Sequence, residues 1–200
     1  VGSEMCIRDR TNAVLDGDHY ILNGSKTFIT NGQKSGLVIV VAKTDVSAGS
    51  KGISLFLVES EFEGFSKGKN LEKLGMKAQD TSELFFQDVR VPKENLLGEE
   101  GRGFIYLMQD LPQERLSIAV GAIANAQALL ESTIDYTKER KAFGVSVASF
   151  QNTQFKLAEL SAEISSAEVF LDRCTELLLN DELDTVTASK LKLVATDLQC

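Results

Sequence analysis

Leu116 to Leu130 reads LSIAVGAIANAQALL, and no charged residue interrupts it. A helix that is apolar all round belongs inside a bundle rather than on a surface. Upstream the texture is different. Leu37-Val-Ile-Val-Val-Ala42 is a strand-sized apolar run, and Ile53-Ser-Leu-Phe-Leu-Val58 suggests a strand covered on both faces. Further strands are predicted at Tyr20–Leu22, Lys26–Thr30 and Glu83–Val89. Asp16-Gly17-Asp18 and Asn23-Gly24 are signals for tight turns, which need positive φ. Pro92 closes this region, because an X-Pro step favours extended backbone. Downstream, one helix is predicted to end near Arg140, a second to run from about Ser149 to Leu179, and a third to start near Leu183. Short connections between long helices imply antiparallel packing. Strands followed by helices are the pattern of an α+β fold or of two domains. The division expected is a sheet region over 11–98 and a helical region over 99–200. Gly98-Glu-Glu-Gly101-Arg-Gly103 is read as the linker.

Composition narrows the function classes. The 200 residues carry 21 Lys+Arg against 29 Asp+Glu, a net charge of −8. A chain of this length buries roughly 70% of the surface its unfolded form exposes. Wrapping nucleic acid needs clustered Lys and Arg, and no basic run stands out. No apolar run approaches the roughly 20 residues of a bilayer span. Cys6, Cys174 and Cys200 have neither metal nor disulfide spacing, and one histidine leaves little for zinc, so no metal site is expected. These features suit an intracellular, reduced protein. Val1 to Arg10, VGSEMCIRDR, shows no helical or strand period and no signal-peptide core, and is set aside as a leader, a cloning or assembly scar being one origin. The helix predicted after Leu183 stops mid-pattern without a Gly or Asn cap, which is expected of a truncated helical domain.

The usual chemical signatures are missing. The glycine run at 98–103 holds two acids and lacks the Rossmann spacing. There is no G-x-S-x-G and no histidine dyad. Glu114-Arg115, in Leu111-Pro-Gln-Glu-Arg-Leu116, is the pair that attracts attention. On a helical wheel Glu114 falls beside Leu107, Ile118 and Gly121, and Arg115 near Leu111, Ala119 and Ala122. Both charges are therefore expected on or near packed faces, with the projection approximate across Pro112. Desolvation would raise the Glu114 pKa and make it a general base. Periodicity alone leaves this open against a structural ion pair at the helix entrance. Lys26–Gly32 is by itself an ordinary strand and turn. Arg140–Gly144 is by itself a basic helix end. His19 reads as exposed beside a turn, and Cys174 as a small core residue.

Several stretches, taken in order, carry a resemblance. These are Asp16-Gly-Asp-His-Tyr-Ile-Leu-Asn-Gly-Ser-Lys-Thr-Phe-Ile-Thr-Asn-Gly32, Leu74-Gly-Met-Lys-Ala-Gln-Asp-Thr-Ser-Glu-Leu-Phe-Phe86, Val89-Arg-Val-Pro-Lys-Glu-Asn-Leu-Leu-Gly98, and Arg140-Lys-Ala-Phe-Gly144 with Phe150-Gln151. From about Thr11 onward the chain resembles the acyl-CoA dehydrogenases, of the long-chain type. The resemblance implies a β-barrel-like middle domain followed by an incomplete antiparallel helical bundle. It also implies FAD as cofactor, an acyl-CoA substrate, an electron-transferring flavoprotein as partner and a homotetramer. The setting would be cytoplasmic in a bacterium or the mitochondrial matrix in a eukaryote. Phe28, Ile29 and Thr30 match positions flanking the flavin ring, where many relatives carry Trp in place of Phe28. Arg140, Ala142, Phe143 and Gln151 match positions holding the adenosine and pyrophosphate end of FAD from a neighbouring subunit. Pro112, Gln113 and Arg115 match a substrate-contacting stretch. Glu114 matches the base of the long-chain and isovaleryl types. The implied reaction is α,β-dehydrogenation of an acyl-CoA of medium or long chain to a trans-2-enoyl-CoA in fatty-acid β-oxidation. Glu114 would take the α-proton and the flavin N5 the hydride. The alternatives are a branched short-chain (isovaleryl-type) dehydrogenase, an acyl-CoA oxidase, and a non-catalytic CoA-ester-binding relative.

Overall fold

The computed structural model describes residues 11–200, so the leader and Cys6 lie outside the described residues. Two compact units divide between Leu107 and Met108. The first is built on β1 (Asn12–Asp16), β2 (His19–Thr30), β3 (Leu37–Lys43), β4 (Ile53–Glu59), β5 (Phe65–Asn70) and β6 (Thr81–Pro92). They form a six-stranded sheet in the order β4-β3-β1-β2-β6-β5. Tyr20, Leu22, Val40, Phe56, Val58, Leu84, Val89 and Val91 are its buried core. Ile53, Ser54, Leu55 and Phe56 are buried in succession, as expected of a strand covered on both faces.

The turn signals divide. Asp16 pairs with His19, so Gly17-Asp18 closes a tight hairpin between β1 and β2. Asn23-Gly24 does not turn the chain. It sits inside β2 at a bulge, where Leu22 pairs with Val89 and Gly24 with Phe86. The extra residue is on β6, and the Asn23 and Asp88 side chains and backbone bond there in both directions at 2.9 Å. Glycine is required at 24 because a Cβ would lie 2.6 Å from the Thr11 Cα, at a φ of +146°. His19 is half-buried rather than exposed, with its Nδ1 2.5 Å from Asp18 Oδ1. β1 and β5 were not foreseen. The predicted linker is also strapped down. Tyr20 OH donates to Glu100 Oε2 at 2.9 Å, and the Gly101 N–H donates to Ser54 Oγ at 2.8 Å.

The remaining elements are α1 (Gly103–Glu139), a small hairpin of β7 (Lys141–Ala142) and β8 (Val145–Ser146), α2 (Gln151–Leu179) and α3 (Thr185–Gln199). All three predicted helices are present, and α1 runs on through Pro112. Asp184 caps α3, accepting from the backbone N–H groups of Val186 and Thr187. The helical core joins Leu116, Ala119, Ala122 and Ile123 to Ala167, Cys174, Leu191 and Ala195. Alanines at these positions let the helices approach closely. The expectation of all-round burial for 116–130 fails. α2 and α3 cover one side of α1, while Ile118, Val120 and Leu129 are exposed.

Candidate functional site

The predicted site residues fall into separate groups. Phe28, Ile29 and Thr30 end β2 beside β6. Lys26 pairs with Leu84 and Ile29 with Ser82, so Thr27 and Phe28 together oppose Glu83. This bulge puts Phe28 at a φ of 55° and leaves its ring 76% exposed. A bulky side chain in the left-handed region costs about 1–2 kcal/mol and persists only where its surroundings hold it. Thr30 next to it is exposed and Ile29 half-buried.

The second group is at the end of α1. Lys141-Ala142 and Val145-Ser146 pair in register around Phe143-Gly144, whose φ values are 53° and 83°. Both central residues being left-handed fits a tight primed turn. The Phe143 ring is 98% exposed, with its centroid 6.4 Å from that of Phe150. Ala142 is half-buried, and Gln151 is exposed at the start of α2. Arg140 is exposed, and no carboxylate among the described residues pairs with its guanidinium.

The third group is on α1, and here one expectation is overturned. Glu114 is exposed. The core positions Leu116, Ala119, Ile123 and Ala126 set the buried face, and Glu114 stands about 200° from Leu116 round the helix. Its neighbours Ile118 and Gly121 are indeed beside it, but on the open side. The desolvation expected of Glu114 is therefore not supplied by the described residues. Arg115 stands on the flank of the core as expected, half-buried, and donates from Nη1 to Ser189 Oγ on α3 at 2.9 Å. Glu114 and Arg115 do not pair. Pro112 is half-buried and Gln113 exposed.

None of these residues lines the cavity between α2 and α3. That cavity, of about 610 Å³, opens against Ala167, Phe170, Val194 and Leu198. The sequence reading also missed a polar cluster. Buried Asp80 and half-buried Lys67 bind the turn that follows Thr30. An Asn-Gly pair after a strand and an Asp immediately before one were the available signals.

Residues 1–89 match the acyl-CoA dehydrogenase middle domain, and residues 101–200 the acyl-CoA dehydrogenase C-terminal domain. The chain belongs to the acyl-CoA dehydrogenase family. It is 56% identical over 192 residues to the mitochondrial long-chain specific acyl-CoA dehydrogenase of Rattus norvegicus, covering 95% of this chain and 45% of that one. It is 42% identical to a short-chain specific acyl-CoA dehydrogenase of Clostridium acetobutylicum, over 94% of this chain and 50% of the relative. An acyl-CoA dehydrogenase structure from Geobacillus kaustophilus superposes with a TM-score of 0.95 at 46% identity, covering 100% of this chain and 53% of that one. The chain thus spans about half the length of the curated relatives it matches. The α+β order of a sheet region before a helical one is the family's arrangement, as expected.

Proposed function

We propose that the protein catalyses the FAD-dependent α,β-dehydrogenation of medium- or long-chain acyl-CoA thioesters to trans-2-enoyl-CoA. The observation that carries this reading is the Glu114 carboxylate, which stands without a partner among the described residues on the open, apolar side of α1 in a member of this family. The 56% identity to a long-chain relative, against 42% to a short-chain one, supports the chain-length assignment.

The residues present fit a flavin dinucleotide. Phe28 offers an exposed ring on strained backbone, and Thr30, two residues on, is exposed. Phe143 offers a second exposed ring, and the Arg140 guanidinium, unpaired among the described residues, suits a pyrophosphate. Phe28, Ile29 and Thr30 would hold the flavin ring; Arg140, Ala142, Phe143 and Gln151 would hold the adenosine and pyrophosphate end. FAD, when bound, supplies the acceptor for the β-hydrogen and its two electrons. Glu114 takes the α-proton on a carboxylate oxygen, which a thioester α-carbon needs because it is a weak acid. Arg115, tied to Ser189, keeps its segment of α1 against α3 while Pro112, Gln113 and Arg115 border the substrate. The proposed electron acceptor is an electron-transferring flavoprotein, and the proposed assembly is a homotetramer.

The test uses the product of the complete gene. Its flavin absorbance is recorded, and saturated acyl-CoAs of increasing length are added without oxygen. Long chains should bleach the flavin band. Glu114→Gln should retain FAD and lose turnover. A Glu114→Gln protein with a near-normal rate would remove Glu114 from the chemistry, and a colourless protein that FAD does not restore would sink the flavoenzyme reading.

A further inference from the structure

The turn after Thr30 is gripped from two sides by charges that the proposed chemistry does not use. Asp80 is 8% exposed and immediately precedes β6. Its Oδ2 accepts the Gln33 N–H at 2.8 Å, and its main-chain carbonyl accepts the Asn31 N–H at 3.2 Å. Lys67, on β5, donates from Nζ to the carbonyls of Gln33 at 3.1 Å and Ser35 at 2.6 Å. The Gln33 side-chain amide donates to the Gly68 carbonyl beside it. A carboxylate thus takes the turn's N–H and an ammonium takes its C=O groups, both as charge-assisted bonds. Gly32 is pressed so close to β6 that a Cβ there would come 2.5 Å from the buried Ser82 Oγ. The ladder continues this grip upstream, with Thr30 on Thr81 and Ile29 on Ser82. Next comes the bulge that holds Phe28 in the left-handed region. On β5 a second bulge, at Gly68-Lys69, opposes the same Glu83.

A strained conformation lasts only where its surroundings over-determine it. Here the bulge at Phe28 is bounded below by the paired strand and above by the clamped turn. We propose that Asp80, seconded by Lys67, is a positioning residue that holds Phe28, Ile29 and Thr30 in the arrangement that receives the flavin ring. This rests on the FAD reading above. The clamp acts through the backbone of 31–35; Asp80 itself touches no cofactor.

The experiment measures FAD uptake rather than turnover. The product of the complete gene is stripped of flavin and titrated with FAD, and the visible circular dichroism of the bound flavin is recorded. Asp80→Ala should weaken FAD about tenfold or more, the scale of one lost charge-assisted bond, and alter the dichroism. Asp80→Asn keeps an acceptor for the Gln33 N–H and should recover most of both. Lys67→Met should act in the same direction, so the inference stays open to test if Asp80→Ala does not fold. Tyr20→Phe, buried in the same sheet core but bonded to Glu100, should melt lower yet bind FAD within about twofold of the parent. FAD binding and dichroism unchanged in Asp80→Ala, or in Lys67→Met, would overturn the inference. So would a Tyr20→Phe protein as impaired in FAD binding as Asp80→Ala. A parent protein that takes up no FAD would instead fail the cofactor reading and remove this inference with it.

Discussion

Tyr20 offers a perturbation whose size can be worked from the structure. Its ring is 1% exposed, packs edge-on against Phe56 at a centroid distance of 4.9 Å, and ends in a hydroxyl that donates to Glu100 Oε2 at 2.9 Å. Burial, and then the Glu100 carboxylate, push its pKa from 10.0 up to about 12. Tyr20→Phe keeps the ring and removes the hydrogen bond. A bond to a charged acceptor is worth about 1.5–3 kcal/mol, and Glu100 can return to water, so a loss of about 1–2 kcal/mol is expected at pH 8. The alkaline limb has a definite sign. The unfolded tyrosine gives up its proton near pH 10, while the folded one keeps it until about pH 12. The stabilisation is therefore complete below pH 10 and drains away as pH rises through 12. At pH 11 about 1.4 kcal/mol should be gone. Urea unfolding of the parent and Tyr20→Phe proteins, at pH 8 and at steps up to about pH 11.5, isolates this residue from the others that titrate there. The gap between the two should narrow above pH 10 and then close or reverse. A gap constant from pH 8 to 11.5 would refute the argument.

The other predictions concern packing and caps. Gly24→Ala places a Cβ 2.6 Å from the Thr11 Cα and should cost about 1–3 kcal/mol of overpacking, read as a lower urea midpoint. Leu191→Ala opens a hole among α1, α2 and α3 where the parent side chain is fully buried, and should cost about 3 kcal/mol in the same assay. Asp184→Ala removes the cap of α3 and should lower the melting temperature at neutral pH. Bonds from Thr187 hold the Asp184 carboxyl below its ordinary 3.8, so its contribution is present above that value and is lost as pH falls through the lower folded one. The parent and Asp184→Ala melting curves should therefore converge in acid.

Much of the architecture was legible because its signals are local. Leu37–Ala42 and Ile53–Val58 are strands by composition; Ile53–Val58 buries as read, whereas Leu37–Ala42 buries Val40 and Ala42 and leaves Leu37 and Ile39 exposed. The helix limits near Arg140, Leu179 and Leu183 were marked by breaks in the pattern. β5, with the sequence FSKGKN, was illegible because lysines, Ser, Gly and Asn are poor strand formers. It is a strand because β6 holds it through Phe65–Phe86 and Lys67–Leu84. Asn23-Gly24 looks the same in sequence whether it turns a hairpin or lies at a bulge, and only the register against β6 decides. The clamp on the turn after Thr30 was hidden for a related reason. Asp80 and Lys67 are far apart in sequence from Gln33, and an Asp before a strand does not show which turn it binds.

Glu114 shows why a helix can be read correctly and its face missed. A wheel assigns a side only when one side is polar, and Leu116–Leu130 has no charged side to serve as a reference. Ile118 and Leu116 are equally apolar in the sequence, yet Leu116 is 7% exposed and Ile118 55%. What separates them is which residues α2 and α3 reach, and α2 and α3 present Ala167, Cys174, Leu191 and Ala195 to the Leu116 side. Arg115 follows that side and is bonded to Ser189; Glu114, one residue earlier, does not. Adjacent charges about 100° apart round the helix thus take opposite parts. One ties α1 into the bundle, and the other has no partner among the described residues at the head of an apolar stripe. That division removes the Glu114–Arg115 ion pair which periodicity left open. The guanidinium is bonded to Ser189 on α3, and the carboxylate has no partner among the described residues.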